Sequence, residues 1–236
     1  LNVDQVSKKF GNGIKWRANT LIPPVFDKYY AKSAKGYPLN IKKANKLLDD
    51  AGYKKRNGSK WRSDPKGKKL VIYFGAMTSS ATTEATYQDY LQQWHKVGLD
   101  VKYTSGKPVE MNSFYDTLQK PEQNKMDIWL GAWSLSSEPS QSQLYGDTAA
   151  FNMGHFTTAK NTKLINQMND NGAWNDKTRA KTFKEWQEYM NNQAGVVGEQ
   201  FNYAWQPVNN RVKGFDLSPA NDEFYSNLTL TSSKLK

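Results

Sequence analysis

The sequence predicts an α/β lobe, and three observations carry that reading. Short apolar runs, each bounded by polar or turn residues, alternate with longer stretches whose apolar residues recur at helical spacing. Glycines stand directly after several helical stretches, where a left-handed residue ends a helix at least steric cost. No internal repeat or low-complexity linker interrupts the 236 residues, a length able to bury a sizeable core.

In chain order, Val3, Val6 and Phe10 set a short helical face that Gly11 and Gly13 terminate, and Leu21-Ile22-Pro23-Pro24 reads as an extended connection. Asn40 is placed to cap a helix carrying Ile41, Ala44, Leu47, Leu48 and Ala51 on one face, with Gly52 as its stop. A polar hairpin rich in Gly, Lys and Arg turns through Asn57-Gly58. Residues 70–74 read as a buried strand, because the run is short, apolar and bounded by Lys69 and Gly75. From 80 to 97 the positions Ala81, Ala85, Tyr87, Tyr90, Leu91, Trp94 and Val97 keep helical spacing until Gly98. A strand over 99–103, a helix around 113–118 and a strand over 126–130 extend the alternation, which implies a partly parallel sheet covered by helices. Helices over 162–169 and 176–192 follow, with Trp174 and Trp186 reading as helix-packing residues. Aromatic segments at 201–205 and 224–230 close the chain.

Composition excludes several kinds of chemistry. Without cysteine there are no disulfides, thiolate zinc sites or cysteine nucleophiles, which also fits a protein that works outside the cell without bridges. Eight Trp and thirteen Tyr belong to a chain that folds rather than to a disordered polar one. No run approaches the ~20 apolar residues of a membrane helix. The two histidines, His95 and His155, sit in no ligand-spaced motif; His95 reads as a polar-face residue and His155 as a loop residue within reach of a ligand. There is no Gly-x-Ser-x-Gly elbow, phosphate loop or dinucleotide fingerprint, so neither an enzyme nor a cofactor is expected. The net charge of +11 would suit nucleic acid or an anionic envelope surface. Its densest groups, Lys54-Lys55-Arg56 and Lys66-Gly67-Lys68-Lys69, adjoin turn residues and read as solvated loop; with no nucleic-acid-binding signature beside them, nucleic acid is not expected as a partner.

The stretch Ala44-Asn45-Lys46-Leu47-Leu48-Asp49-Asp50-Ala51-Gly52-Tyr53 resembles the "A-x-x-L-L-x-x-A-G-Y" helix of the peptide- and nickel-type solute-binding proteins that serve ABC importers. Later elements keep that family's order: Tyr90-Leu91-Gln92-Gln93-Trp94, then Val97-Gly98-Leu99-Asp100-Val101, then Met126-Asp127-Ile128 before Gly131-Ala132-Trp133 and a Glu138-Pro139 step. The closing Val208-Asn209-Asn210-Arg211-Val212-Lys213-Gly214-Phe215 is similar as well. Nearly all of the chain finds a place in the pattern, and its loop style is most similar to the oligopeptide binders of Gram-positive lactic-acid-type bacteria.

The resemblance implies a periplasmic-binding-protein-like (type II) lobe with a mixed sheet flanked by helices. Residues 1–205 would be the second, ligand-binding lobe of a two-lobe receptor, and 206–236 the return segment towards the hinge. The missing N-terminal lobe and its lipid anchor would lie outside this sequence. The implied partners are an oligopeptide ligand and ABC permease subunits, met at the extracellular face of the membrane. An extended peptide offers the same amides and termini whatever its sequence, so a broad receptor should grip backbone and ends between aromatic walls. In the family the loop after Gly-x-Trp supplies a cleft wall and an acidic residue for the peptide ammonium. On that pattern the ligand-binding candidates are Trp133, Ser134, Ser136, Glu138, Tyr145, Phe151 and Asn152. Ser136 holds the acidic position without a gap, and Glu138 holds it if the loop is one residue shorter. Glu138 could equally cap the following helix, and Trp133, which the motif places on the cleft wall, has a core position as its alternative. Tyr203 and Trp205 stand where hinge packing competes with ligand contact. The alternatives are a same-family receptor for a pheromone peptide, a sugar or a nickel complex, or a non-catalytic envelope-surface adhesion protein.

Overall fold

The computed structural model describes all residues except 121, 123–124, 136–137, 171–173, 203–205, 217–224 and 234–236. The elements run α1 (Val3–Phe10), β1 (Lys15–Arg17), a 3-10 turn at Pro24–Phe26, α2 (Ile41–Asp50), β2 (Ile72–Gly75), α3 (Ala81–Lys96), β3 (Val101–Tyr103) and α4 (Met111–Leu118). They continue through β4 (Ile128–Trp129), α5 (Ser142–Tyr145), α6 (Ala159–Asn169), α7 (Asp176–Gln193), β5 (Gln200–Asn202), β6 (Val212–Lys213) and β7 (Thr229–Leu230).

Helix starts follow their caps. The side chains of Asn40, Ser80, Glu110, Thr158 and Asn175 each accept from a backbone N–H of the first turn that would otherwise lack a partner. Glu110 and Thr158 thereby begin α4 and α6 two to three residues ahead of the expected 113 and 162. The stops at Gly52 and Gly98 are as read, with φ of 86° and 82°. Behind them Tyr53 N donates to Leu48 O and Leu99 N to Trp94 O, the six-to-one bond that closes a helix around a left-handed glycine.

The segments 70–74, 99–103 and 126–130 lie together in one three-stranded sheet of order β3-β2-β4, with Phe74 opposite both Tyr103 and Ile128. Both pairings are parallel, as α3 and α4 crossovers require. Antiparallel pairing is present in separate ladders, β1 with β5 and β6 with β7. Three apolar clusters organise the rest. Phe74, Tyr87, Leu91 and Val101 join the sheet to α3. Phe114, Leu118 and Met153 sit beneath α4 and the loop after β4. The third, Ile22, Leu164, Ile165, Met168, Phe183, Trp186 and Met190, binds α6 to α7.

Two expectations need correction. Trp186 is fully buried, but Trp174 stands 88% exposed, because it precedes the cap Asn175 and so falls outside the helical repeat of α7. Helix α2 has the expected apolar face but no buried residue; Leu47 is 58% exposed. A polar clamp holds the helix. The guanidinium of Arg62, 3% exposed, donates to Val97 O, Asp49 Oδ1, Asn45 Oδ1 and Tyr53 O.

Candidate ligand-binding site

Strand β4 delivers Gly131-Ala132-Trp133 to the edge of the Phe114–Leu118–Met153 cluster. The half-buried indole of Trp133 meets the ring of Phe151 at 5.6 Å between centroids and 61°, and that of Tyr115 on α4 at 6.3 Å and 54°. Phe151 is 43% exposed, so this aromatic wall has a face open to solvent. Beside it lies a pocket of about 340 Å³, lined by the buried Leu118 and Met153 and by the exposed Gln119, Asp147, Phe151 and His155. Trp133 buttresses Phe151 rather than lining that pocket itself.

Asn152 builds the loop that carries Phe151. Its amide donates to Gly146 O at 3.1 Å and Phe156 O at 3.2 Å, while Oδ1 accepts from Phe156 N at 3.1 Å. A side chain 6% exposed and committed on both ends is a scaffold for the pocket. The same turn places His155 at φ 47°.

The pocket's carboxylate is Asp147, exposed and held by the Thr162 hydroxyl. The sequence-expected acid, Glu138, has a different arrangement. Its Oε1 lies 2.6 Å from Arg179 Nη2 of α7 and accepts from Ser140 N at 2.9 Å, which ties the turn before α5 to the α6–α7 cluster. Arg179 is itself fixed above the rings of Tyr29 and Phe183 and donates to Met168 O.

Tyr145 is not brought to the wall. Its ring packs on Trp186 at 5.7 Å within the α6–α7 cluster, and burial pushes its hydroxyl up to about 12. Ser134 is exposed next to Trp133. Ser136, Tyr203 and Trp205 lie outside the described residues. Sequence spacing missed Tyr115, which lies on α4 and reaches Trp133 only in the folded chain, and it passed over Asp147 although that residue stands between the candidates Tyr145 and Phe151.

A larger groove of about 1040 Å³ runs between residues 27–33 and α7. Two of its five lysines are paired, Lys28 with Asp176 and Lys32 with Asp27 at 2.6 Å, and Ser33 donates to Glu188 at 2.8 Å, while Lys177, Lys181 and Lys184 form no ion pair among the described residues. It is a wet, mixed-charge surface. Among the described residues no three His, Asp or Glu side chains gather as a metal site.

The parallel sheet with its flanking helices gives this chain the type II periplasmic-binding-protein-like fold. Residues 1–155 match the bacterial extracellular solute-binding proteins, family 5, in the region called its middle, and the chain belongs to that family. The oligopeptide-binding protein OppA of Lactococcus lactis subsp. cremoris (strain SK11) is 39% identical over 236 residues, covering 99% of this chain and 39% of the relative. Lactococcal OppA, solved with an endogenous peptide in the closed conformation, superposes with a TM-score of 0.90 at 38% identity, over 98% of this chain and 43% of that one. AppA from Bacillus subtilis, in complex with a nonapeptide, shares the fold with a TM-score of 0.77 at 18% identity, over 98% and 46% of the two chains. The chain thus spans about two fifths of the length of the curated relative it matches.

Proposed function

We propose that this chain is the ligand-binding lobe of an oligopeptide receptor that hands its cargo to an ABC permease. The observation that carries it is the wall of Trp133 and Phe151 beside a pocket with an exposed acid, Asp147. An aromatic wall gives apolar burial without dictating side-chain sequence, and a carboxylate beside it offers the charge a peptide ammonium needs. Family membership and the 39% identity to an oligopeptide-binding protein support the same ligand class. Residues 1–205 act as one lobe and 206–236 as the return towards a second, with the whole receptor lipid-anchored at the outer face of the membrane. Binding is by lobe closure, with no catalysis.

Closure from two sides shelters the peptide's hydrogen bonds, so this chain alone binds peptides more weakly than a two-lobe receptor. Titration of the chain and its Asp147→Asn variant with free and N-acetylated peptides tests the site. The variant is expected to lose about tenfold in affinity for free peptides and little for acetylated ones. Equal affinities for wild type and variant would remove Asp147, and no heat from wild type with any peptide would remove the peptide reading.

A further inference from the structure

We propose that residues 53–69 are a docking surface for an anionic lipid bilayer. This stretch holds eight Lys or Arg against Asp64 alone, a net +7 within a chain whose whole net charge is +11. Arg62 is the buried clamp already described. The other seven, Lys54, Lys55, Arg56, Lys60, Lys66, Lys68 and Lys69, are all exposed, and among the described residues none of them is ion-paired.

The backbone that displays them is ordered. Antiparallel bridges join Lys55 to Arg62 and Ser63 to Lys69, and the two tips turn through Asn57-Gly58 and Gly67 at positive φ. Arg62 fixes the ribbon to α2 and to the end of α3 through its bonds to Asp49, Asn45 and Val97 O. Lys60 lies 4.6 Å above the ring of Trp61, whose edge meets His95 at 4.9 Å. Seven unpaired cations on a pinned ribbon repel one another, a cost that a polyanionic surface would relieve.

The seven cations are exposed and the ribbon lines neither of the two cavities described above, so its charge faces outward as a surface. Long lysine stems reach a plane of headgroups without inserting backbone, and the turn residues Asn57-Gly58 and Lys66-Gly67-Lys68 carry no large apolar side chain that would anchor irreversibly. The choice of a bilayer rests on the receptor reading, in which cargo is delivered at a membrane. Attraction of this kind is reversible and screened by salt.

The test is sedimentation of the 236-residue chain with vesicles of phosphatidylglycerol and phosphatidylcholine in equal parts, and with phosphatidylcholine alone, at low and high salt. Wild type is expected to bind only the anionic vesicles and to be released by salt. Replacing Lys66, Lys68 and Lys69 together by Ser should lower partitioning on the order of a hundredfold, since each lysine near the surface contributes about fivefold. The same exchange at Lys177, Lys181 and Lys184 of α7 removes equal charge elsewhere and should lower it far less. All seven ribbon cations being exposed and unpaired, unchanged melting temperatures are expected for the ribbon variant. Equal losses in the two triple variants, or no binding by wild type, would overturn the proposal. So would tighter, ribbon-dependent binding of soluble polyphosphate than of vesicle phosphate, which would assign the surface to a linear polyanion. Peptide titration without vesicles is independent of every one of these outcomes.

Discussion

Arg179 of α7 holds Glu138 at 2.6 Å, so the one carboxylate in the loop between Trp133 and α5 is already neutralised by its own fold. The pair is half open, Glu138 keeping 52% of its side-chain surface, and such pairs contribute about 0–1 kcal/mol. Glu138→Gln is therefore expected to lower stability by no more than about 1 kcal/mol and to leave peptide affinity unchanged. Calorimetric titration of the variant checks this, and a tenfold loss would return Glu138 to the ligand site.

The wall residues separate in the opposite sense. Phe151 is partly exposed and rests mainly on Trp133. Phe151→Ala should cost about 1 kcal/mol in urea unfolding while lowering peptide affinity by about tenfold or more. Trp133→Ala, which also abandons Tyr115 and the apolar cluster below, should show both a larger stability loss and the same loss of affinity. Affinity that follows stability alone in both variants would make the wall a packing feature.

Arg62→Met removes the clamp on α2. The carbonyls of Val97 and Tyr53 lose their charged donor, and a buried acceptor left without one costs about 1–3 kcal/mol. Net destabilisation of about 2–3 kcal/mol is expected by denaturant unfolding, with faster amide exchange over residues 53–69. Wild-type exchange there would show that the ribbon needs no clamp.

Glu199 gives a pH signature. It sits between the Tyr90 hydroxyl of α3, which donates to it, and the β1–β5 ladder, and burial pushes its carboxyl from the ordinary 4.5 to about 7, against a smaller opposing pull from Lys15. The folded protein thus binds a proton that the unfolded chain has released between those values. Stability from this group is intact below about pH 4.5, falls as pH rises, and reaches its full deficit, on the order of 3 kcal/mol, above about pH 7. Urea midpoints of wild type and Glu199→Gln at pH 5 and pH 8 check it: the variant should be the more stable at pH 8, and equal slopes would rule Glu199 out.

Much of the fold was legible because its signals are local. Asn40 and Ser80 cap where a side-chain oxygen precedes a helical face, and Gly52 and Gly98 stop helices because they alone take φ near +80° without strain. Residues 70–74 are an apolar run, 126–130 a mostly apolar one and 99–103 an alternating one, each too short for a helix, and their spacing by helices dictates parallel pairing. Trp133 and Phe151 were named from sequence, and their rings do meet.

What sequence by itself determined, then, is the succession of elements and the chemical character of each, since caps, stops and apolar periodicity act within a few residues. Only the tertiary structure decided which side chains share a site. It paired β1 with β5 across nearly the whole chain, sent Tyr145 into the α6–α7 core, gave Glu138 to Arg179, and brought Tyr115 to the wall. It also kept seven lysines and arginines of one ribbon unpaired while pairing others elsewhere. Contacts between residues far apart in sequence depend on how the loops close and which apolar faces meet, and neither leaves a trace in local spacing.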